Sequence, residues 1–191
     1  VSNYQSLDIL LLKKKYKFDL LESNDYFSEN VLDFIKEKNP NVIAVHTQAW
    51  VPKKILEISS VDLIMGGHPG NTNFHRGSHS PFWAIRHNEF SKIGCTVFRL
   101  DAGVDTGNIF SVSHPHENIS ISDTYQIISW KLMKNIAMMQ IEVLQNYYSG
   151  KKLDEIPIKS KSRVFGAPDL YNYLIYLFFW FKRRLSKYYE K

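Results

Sequence analysis

Val61-Asp62-Leu63-Ile64-Met65-Gly66-Gly67-His68-Pro69-Gly70 decides the fold. Residues 61–65 form an apolar run too short for a helix and closed by glycine and proline, which reads as a buried strand. The glycine-rich stretch 66–70 reads as the loop leaving it. Pro69 restricts His68 to extended conformations, so an imidazole is held stiffly where the strand ends. The same grammar repeats on either side. Upstream, Ser28 caps a helix that stops at Asn39-Pro40, residues 41–45 make a second buried strand, and Pro52 opens a short helix through 58. Downstream, Ser80-Pro81 opens a helix to about 88, residues 94–100 make a strand, and 101–107 is a glycine-bounded loop. A strand over 108–116 follows, then a long helix from a Ser122 cap through 148, with Ile127, Ile128, Leu132, Ile136, Met139, Val143 and Leu144 on one broad face and Gly150 beyond it. Residues 5–14 fit helix or strand equally, and 16–21 is a short strand candidate. Strands alternating with helices define an α/β domain with a largely parallel sheet. Such sheets bind ligands at loops leaving the carboxyl ends of their strands, here 66–77 and 101–107.

Composition sets the outer limits. A chain of 191 residues, 44% hydrophobic and 23% charged, is sized for one domain with an appendage and is not disordered. Its one cysteine, Cys95, excludes a disulfide scaffold and a multi-cysteine zinc site and fits a reducing compartment; no metal is expected. No run reaches the ~20 apolar residues of a membrane span. Residues 1–150 carry 14 basic and 15 acidic side chains, whereas 151–191 carry 10 and 4. The pI of 9.1 is therefore a property of the tail and does not mark the domain as a nucleic-acid binder.

The two loops supply one imidazole, His68, and one carboxylate, Asp105. A lone His-Pro is more often a structural histidine, and an Asp beside glycine more often bonds its own turn, a reading that stands for Asp101. Together, on one sheet edge, they are equipment for proton transfer and for stabilising an oxyanion, that is, for acyl transfer without a covalent enzyme intermediate. No Gly-x-Ser-x-Gly is present and Cys95 lies in a strand, so no nucleophile has the expected setting.

His68-Pro69-Gly70, Arg76-Gly77, the run 81–85 (Pro-Phe-Trp-Ala-Ile), Gly94-Cys95-Thr96 and the run 101–109 together resemble the catalytic half of the formyltransferase family, over about residues 40–148. The resemblance implies a Rossmann-like, doubly wound, mostly parallel sheet lacking its first strand. It implies N10-formyltetrahydrofolate as formyl donor, with no metal, and a primary amine as acceptor. It places the catalytic pair on His68 and Asp105 and the pterin beside Gln48, Ala49, Trp50, Val51, Ala102, Gly103 and Val104. In mechanism, the amine attacks the formyl carbon, His68 stabilises the oxyanion, and Asp105 tunes His68 and helps remove the amine proton. Gly66 stands where the family has an asparagine that holds the formyl oxygen; Asn71 and Asn73 are the candidates to replace it. Arg76 and Trp83 complete the substrate-binding set, with helix-to-sheet core as the alternative for Phe82 and Trp83. The proline usual near 73 is absent, and part of the first βαβ unit is expected to be missing. Only 41 residues follow Gly150, too few for a nucleic-acid-binding domain with its own core. The His-Pro-Gly, Arg-Gly and Phe-Trp set is similar to members that formylate amino sugars on nucleotide carriers or hydroxylated amines in siderophore assembly, and the resemblance is read here as an amino sugar on a nucleotide carrier, in cell-envelope glycan synthesis. Rival readings are a catalytically impaired binding protein and a formyltetrahydrofolate hydrolase.

Residues 1–150 are expected to form the catalytic domain and 151–191 a basic, aromatic extension. Within it, 173–181 is apolar on every face and is followed by Lys182-Arg183-Arg184 and Lys187. That pattern suits the surface of the inner membrane on its cytoplasmic side. Packing on a partner subunit, as in a homodimer, or on the domain itself are the alternatives.

Overall fold

In a computed structural model the chain is described over residues 9–25, 28–47, 50–114, 119–158 and 162–189. It divides into two compact units, Val1–Pro40 and Asn41–Lys191. The first contains α1 (Ile9–Tyr16) and α2 (Glu29–Lys38). The ambiguous 5–14 stretch is thus helical over its described part. The strand expected at 16–21 is not formed: Tyr16 ends α1, and Lys17, at φ 52°, turns the chain out of it.

The second unit is built on a four-stranded sheet. Its strands are β1 (Val42–Val45), β2 (Leu63–His68), β4 (Cys95–Arg99) and β5 (Ile109–Ser113), in the order β1-β2-β4-β5. The α3 helix (Lys53–Leu56) joins β1 to β2, which lie parallel, as an α/β crossover requires. The sheet is mixed: β2–β4 and β4–β5 are antiparallel. The cause for β4–β5 is the short connection between them, which permits only an antiparallel return. Its tightness rests on Gly107, where a Cβ would stand 1.6 Å from the Arg99 carbonyl oxygen. A second, two-stranded sheet pairs β3 (His75–Gly77) in parallel with β6 (Arg163–Phe165).

β2 also runs further than the glycines suggest, through Gly66 and Gly67 to His68. Alternation gives its faces different neighbours. Leu63, Met65 and Gly67 face α5 (Tyr125–Tyr148), whose Ile128, Leu132 and Ile136 are fully buried. Each of those side chains contributes roughly 1.5–3 kcal/mol by leaving water. A Cβ on Gly67 would come within 2.1 Å of Ile136 Cγ2, so the helix sits directly on the strand. The other face of β2 presents Gly66 and His68, opposite Phe98 and Thr96 of β4. The α5 cap is Thr124 rather than Ser122; its side chain accepts from the Ile127 N–H.

Residues 151–191 are not a separate extension. Ile156 bridges Ile109, β6 pairs with β3, and α6 (Leu170–Tyr189) packs on α4 (Ser80–Arg86). Phe82 of α4 is fully buried and stacks on Tyr176 of α6 at 4.8 Å. The α6 helix is therefore not uniformly free. Tyr176 is buried, Trp180 donates to the Asp123 carbonyl, and Arg183 donates to the Ile121 and Asp123 carbonyls. Its other side exposes Leu170, Tyr171, Leu174, Phe178, Phe181 and Leu185. Among the described residues, no helix is long and apolar enough to cross a membrane.

Candidate active site

His68 ends β2 and pairs across the sheet with Thr96. Thr96 fixes the following loop: its hydroxyl donates to the Gly70 carbonyl at 2.9 Å and accepts from the Thr72 N–H at 3.2 Å. The chain is thereby folded back over the His68 face, bringing β3 and the start of α4 against the imidazole. His68 Nε2 lies 2.8 Å from Ser80 Oγ and 3.2 Å from the His75 carbonyl oxygen, all buried. A Cβ at Gly70 would stand 2.5 Å from Nε2, so the ring occupies space that only glycine leaves open.

On its other side, His68 Nδ1 faces Asp105 Oδ2 at 3.5 Å. The two loops were expected to leave the same sheet edge. They do not: β4 is antiparallel to β2, Arg99 lies opposite Met65, and the Leu100 N–H donates to the Ile64 carbonyl. The aspartate loop therefore starts near the opposite end of β2 and folds back along the sheet to reach His68. Asp105 holds a left-handed φ of 50°, and its Oδ2 accepts the Gly77 N–H at 2.8 Å. Arg76 Nη1 donates to the Val104 carbonyl at 3.3 Å and Nη2 to the Ser162 carbonyl at 3.0 Å. Asp101 keeps to its own turn, accepting from the Gly103 N–H and the Thr106 hydroxyl.

Burial pushes the His68 imidazole below its ordinary pKa, opposed by the Asp105 charge and the His75 carbonyl. The ring is therefore neutral at neutral pH. Nδ1 faces the Asp105 carboxylate at 3.5 Å, while Nε2 lies within hydrogen-bond reach of both the Ser80 hydroxyl and the His75 carbonyl oxygen. Asp105, His68 and Ser80 thus stand in one line. Its reachable end is the carboxylate, with 20% of its side chain exposed against 8% for His68. Ser80 is 2% exposed and has no access to a reacting carbon.

The remaining expected site residues separate. Asn71 is buried, accepting the Asn73 N–H and lying 3.4 Å from His114 Nε2. It shapes the loop, and Asn73 is half-buried beside it. Trp83 takes the core alternative: it stacks on Phe165 at 4.9 Å and donates to the Gly166 carbonyl. Trp50 is 59% exposed, Ala102 and Gly103 are exposed, and Val51 and Val104 are half-buried. Gln48 and Ala49 lie outside the described residues. Ser80 and Thr96 were missed. Ser80 read as a helix opener and Thr96 as a strand residue, and no spacing in the sequence ties either to His68.

No protein-family model matches the chain. Over 131 residues it is 31% identical to a methionyl-tRNA formyltransferase from Caldicellulosiruptor saccharolyticus, a match covering 67% of this chain and 39% of that protein. The match thus spans about two fifths of its relative's length. A 4-N formyltransferase from Francisella tularensis shares the fold at a TM-score of 0.64 and 18% identity, over 88% of this chain and 71% of that one. So does the formyltransferase PseJ from Anoxybacillus kamchatkensis, solved with UDP-4,6-dideoxy-4-formamido-L-AltNAc and tetrahydrofolate, at 0.54 and 20% over 77% and 85%. The fold is that of the formyltransferases. The resemblance to this family read from the His-Pro-Gly, Arg-Gly and Asp-Thr-Gly motifs is borne out by both sequence and fold.

Proposed function

We propose that the protein transfers a formyl group from N10-formyltetrahydrofolate to the primary amine of an amino sugar carried on a nucleotide. The observation that carries this reading is the His68–Asp105 pair at 3.5 Å, backed by Ser80 at 2.8 Å, in a fold shared with formyltransferases. Support for the donor and acceptor classes comes from PseJ, whose solved structure contains tetrahydrofolate and a UDP-linked formamido sugar. An exposed indole at Trp50 and the open backbone of 102–103 suit a flat heteroaromatic ring, so Trp50, Val51 and 102–104 are the residues proposed to hold the folate. When bound, the folate supplies the electrophilic formyl carbon.

The chain's own part is proton management. Asp105 takes the proton released as the attacking nitrogen forms its bond to carbon. His68 Nδ1 stands 3.5 Å from that carboxylate as its polar partner, and the Ser80 hydroxyl and the His75 carbonyl hold the ring in place. The burial of His68 keeps water off this line. The Arg76 guanidinium ties β3 to the Asp105 loop through the Val104 carbonyl, positioning the acid rather than binding substrate.

The exposed side of α6, followed by exposed Lys182 and Arg184, supports peripheral contact with an anionic membrane surface on the cytoplasmic side. A homodimer through the same face is the competing use, separable by vesicle flotation against sedimentation. Turnover is tested by incubating the protein with N10-formyltetrahydrofolate, with and without a nucleotide-linked 4-amino sugar. Formamide appearing only with the amino sugar supports the transferase. Formate released without it makes the protein a hydrolase, and folate binding without turnover makes it a binding protein.

A further inference from the structure

Outside the His68–Asp105 pair, a second group of chemistry-bearing side chains converges. His75 opens β3, His87 follows α4, and Glu89 precedes the 3-10 turn Phe90–Lys92. Each offers one ligand atom, and those atoms all lie within 4.8 Å of one another. We propose that His75, His87 and Glu89 form a binding site for one divalent transition-metal ion of the zinc class, distinct from the formyl-transfer pair.

The donor set is chemically apt. Two imidazole nitrogens and one carboxylate oxygen are the ligands of three-coordinate protein zinc sites that keep a fourth position open. His75 Nε2 and Glu89 Oε2 already stand 3.1 Å apart, close to the separation of two ligands on one tetrahedral ion. The His75 and His87 rings lie nearly parallel, 17° apart with centroids at 6.2 Å. Small rotations of the half-buried His87 and Glu89 side chains close the remaining gap, while His75, 3% exposed, stays fixed.

The supporting shell is in place as well. Lys92 Nζ holds Glu89 Oε1 at 2.5 Å, which leaves Oε2 directed at His75. The His87 backbone N–H donates to the Trp83 carbonyl at 2.9 Å and its ring stacks on Trp83 at 5.9 Å, which orients that imidazole. His75 is further packed against Phe165 at 5.5 Å.

The open coordination position faces a cavity of about 410 Å³, lined by these three residues together with Lys92, Ser162 and Arg163. Two cations beside the ion weaken bare-metal affinity. They favour an oxyanion, such as a carboxylate or phosphate, as the fourth ligand. The site therefore differs from a closed structural zinc centre, whose four protein ligands leave no room.

The test is titration of chelator-treated protein with Zn²⁺ by calorimetry, and with Co²⁺ by visible absorption, in buffer without and with inorganic phosphate. The expected result is one ion per chain, a four-coordinate Co²⁺ spectrum, and tighter binding with phosphate present. His87→Ala and Glu89→Gln, both at half-buried positions and checked for folding by circular dichroism, should each weaken binding by at least ~10-fold. Binding that is undetectable, or equal in wild type and in either folded variant, overturns the proposal. The outcome does not depend on formyl transfer, so failure of one leaves the other standing.

Discussion

Replacing Asp105 by asparagine tests the site at its central contact. The carboxamide has nearly the shape of the carboxylate and can still accept the Gly77 N–H that now meets Oδ2 at 2.8 Å, so the loop should hold. What disappears is the charge 3.5 Å from His68 Nδ1. At an effective dielectric of about 20, that separation corresponds to roughly 5 kcal/mol between unit charges. Exposure of the carboxylate's outer edge reduces it, leaving the ~1–3 pKa units typical of an opposite charge at this range. His68 is already below its ordinary value because it is buried, and Asp105 is the leading influence holding it up. The variant should therefore titrate lower still, by ~1–3 units, followed by NMR of the imidazole protons. Stability at pH 8 should change by less than about 1 kcal/mol, because the ring is neutral there in both proteins. Formyl transfer should fall by ~10²-fold or more, as for loss of a group that acts only in the transition state. An unmoved His68 titration in a folded Asp105→Asn protein would show that the two groups do not communicate, and the line with Ser80 would lose its basis.

Gly67→Ala should cost ~1–3 kcal/mol in denaturant unfolding, since its Cβ would lie 2.1 Å from Ile136 Cγ2 in a fully buried helix face; a neutral substitution would mean α5 does not sit on β2 as described. Acid should destabilise the fold. His68 and His75 are both depressed, His75 to about 4, so between pH 6.5 and about 4 the unfolded chain binds protons that the folded chain refuses. Stability then falls as pH falls, by up to ~3 kcal/mol for His75 alone, and a flat urea midpoint across that window would contradict the burial of these rings. Gly66→Asn should cost ~1–3 kcal/mol, because its Cβ would meet Leu100 Cδ1 at 2.8 Å and the Phe98 ring at 3.2 Å, both of which must give. If a missing oxyanion donor limits the enzyme, kcat rises by ~10²-fold, and an unchanged kcat shows that the donor comes from elsewhere.

How much of this was legible in the sequence follows from what each residue's neighbours are. The β2 strand could be read because its apolar run is local, but not its continuation. Whether Gly66 and Gly67 end a strand or serve its crowded centre depends on Leu100, Phe98 and Ile136, which are distant in sequence. The antiparallel return of β5 follows from the short loop between Arg99 and Ile109, whereas the antiparallel pairing of β4 with β2 depends on contacts distant in sequence. The tail was misread in part for a related reason. An all-round apolar helix looks alike whether it meets lipid or protein, and the pairing of β6 with β3 comes from short segments without periodicity. His68 and Asp105 were found because their flanking glycines and proline mark them. Ser80, with an ordinary helix-opening context, carries no such mark.

The antiparallel turn of the sheet has a consequence for the chemistry. In an all-parallel sheet, the histidine and the acid would both rise from one rim and both face the solvent crevice. Here the acid arrives from the far end, lying along the sheet, and comes to rest on the outer side of an imidazole that β3 and α4 have already covered. The order from solvent inward is carboxylate, imidazole, hydroxyl, with side-chain exposures of 20% and 8% for the first two. A buried neutral base behind an accessible carboxylate is poor at polarising a carbonyl directly. It is well suited to standing as a polar partner 3.5 Å from the acid while that acid collects a proton. The resemblance implies that His68 stabilises the oxyanion while Asp105 tunes His68 and helps remove the amine proton; the exposures favour the second of those tasks for Asp105, the more accessible of the two. Gly66, on the same face of β2 as His68, is the position where an added side-chain donor tests whether one is missing.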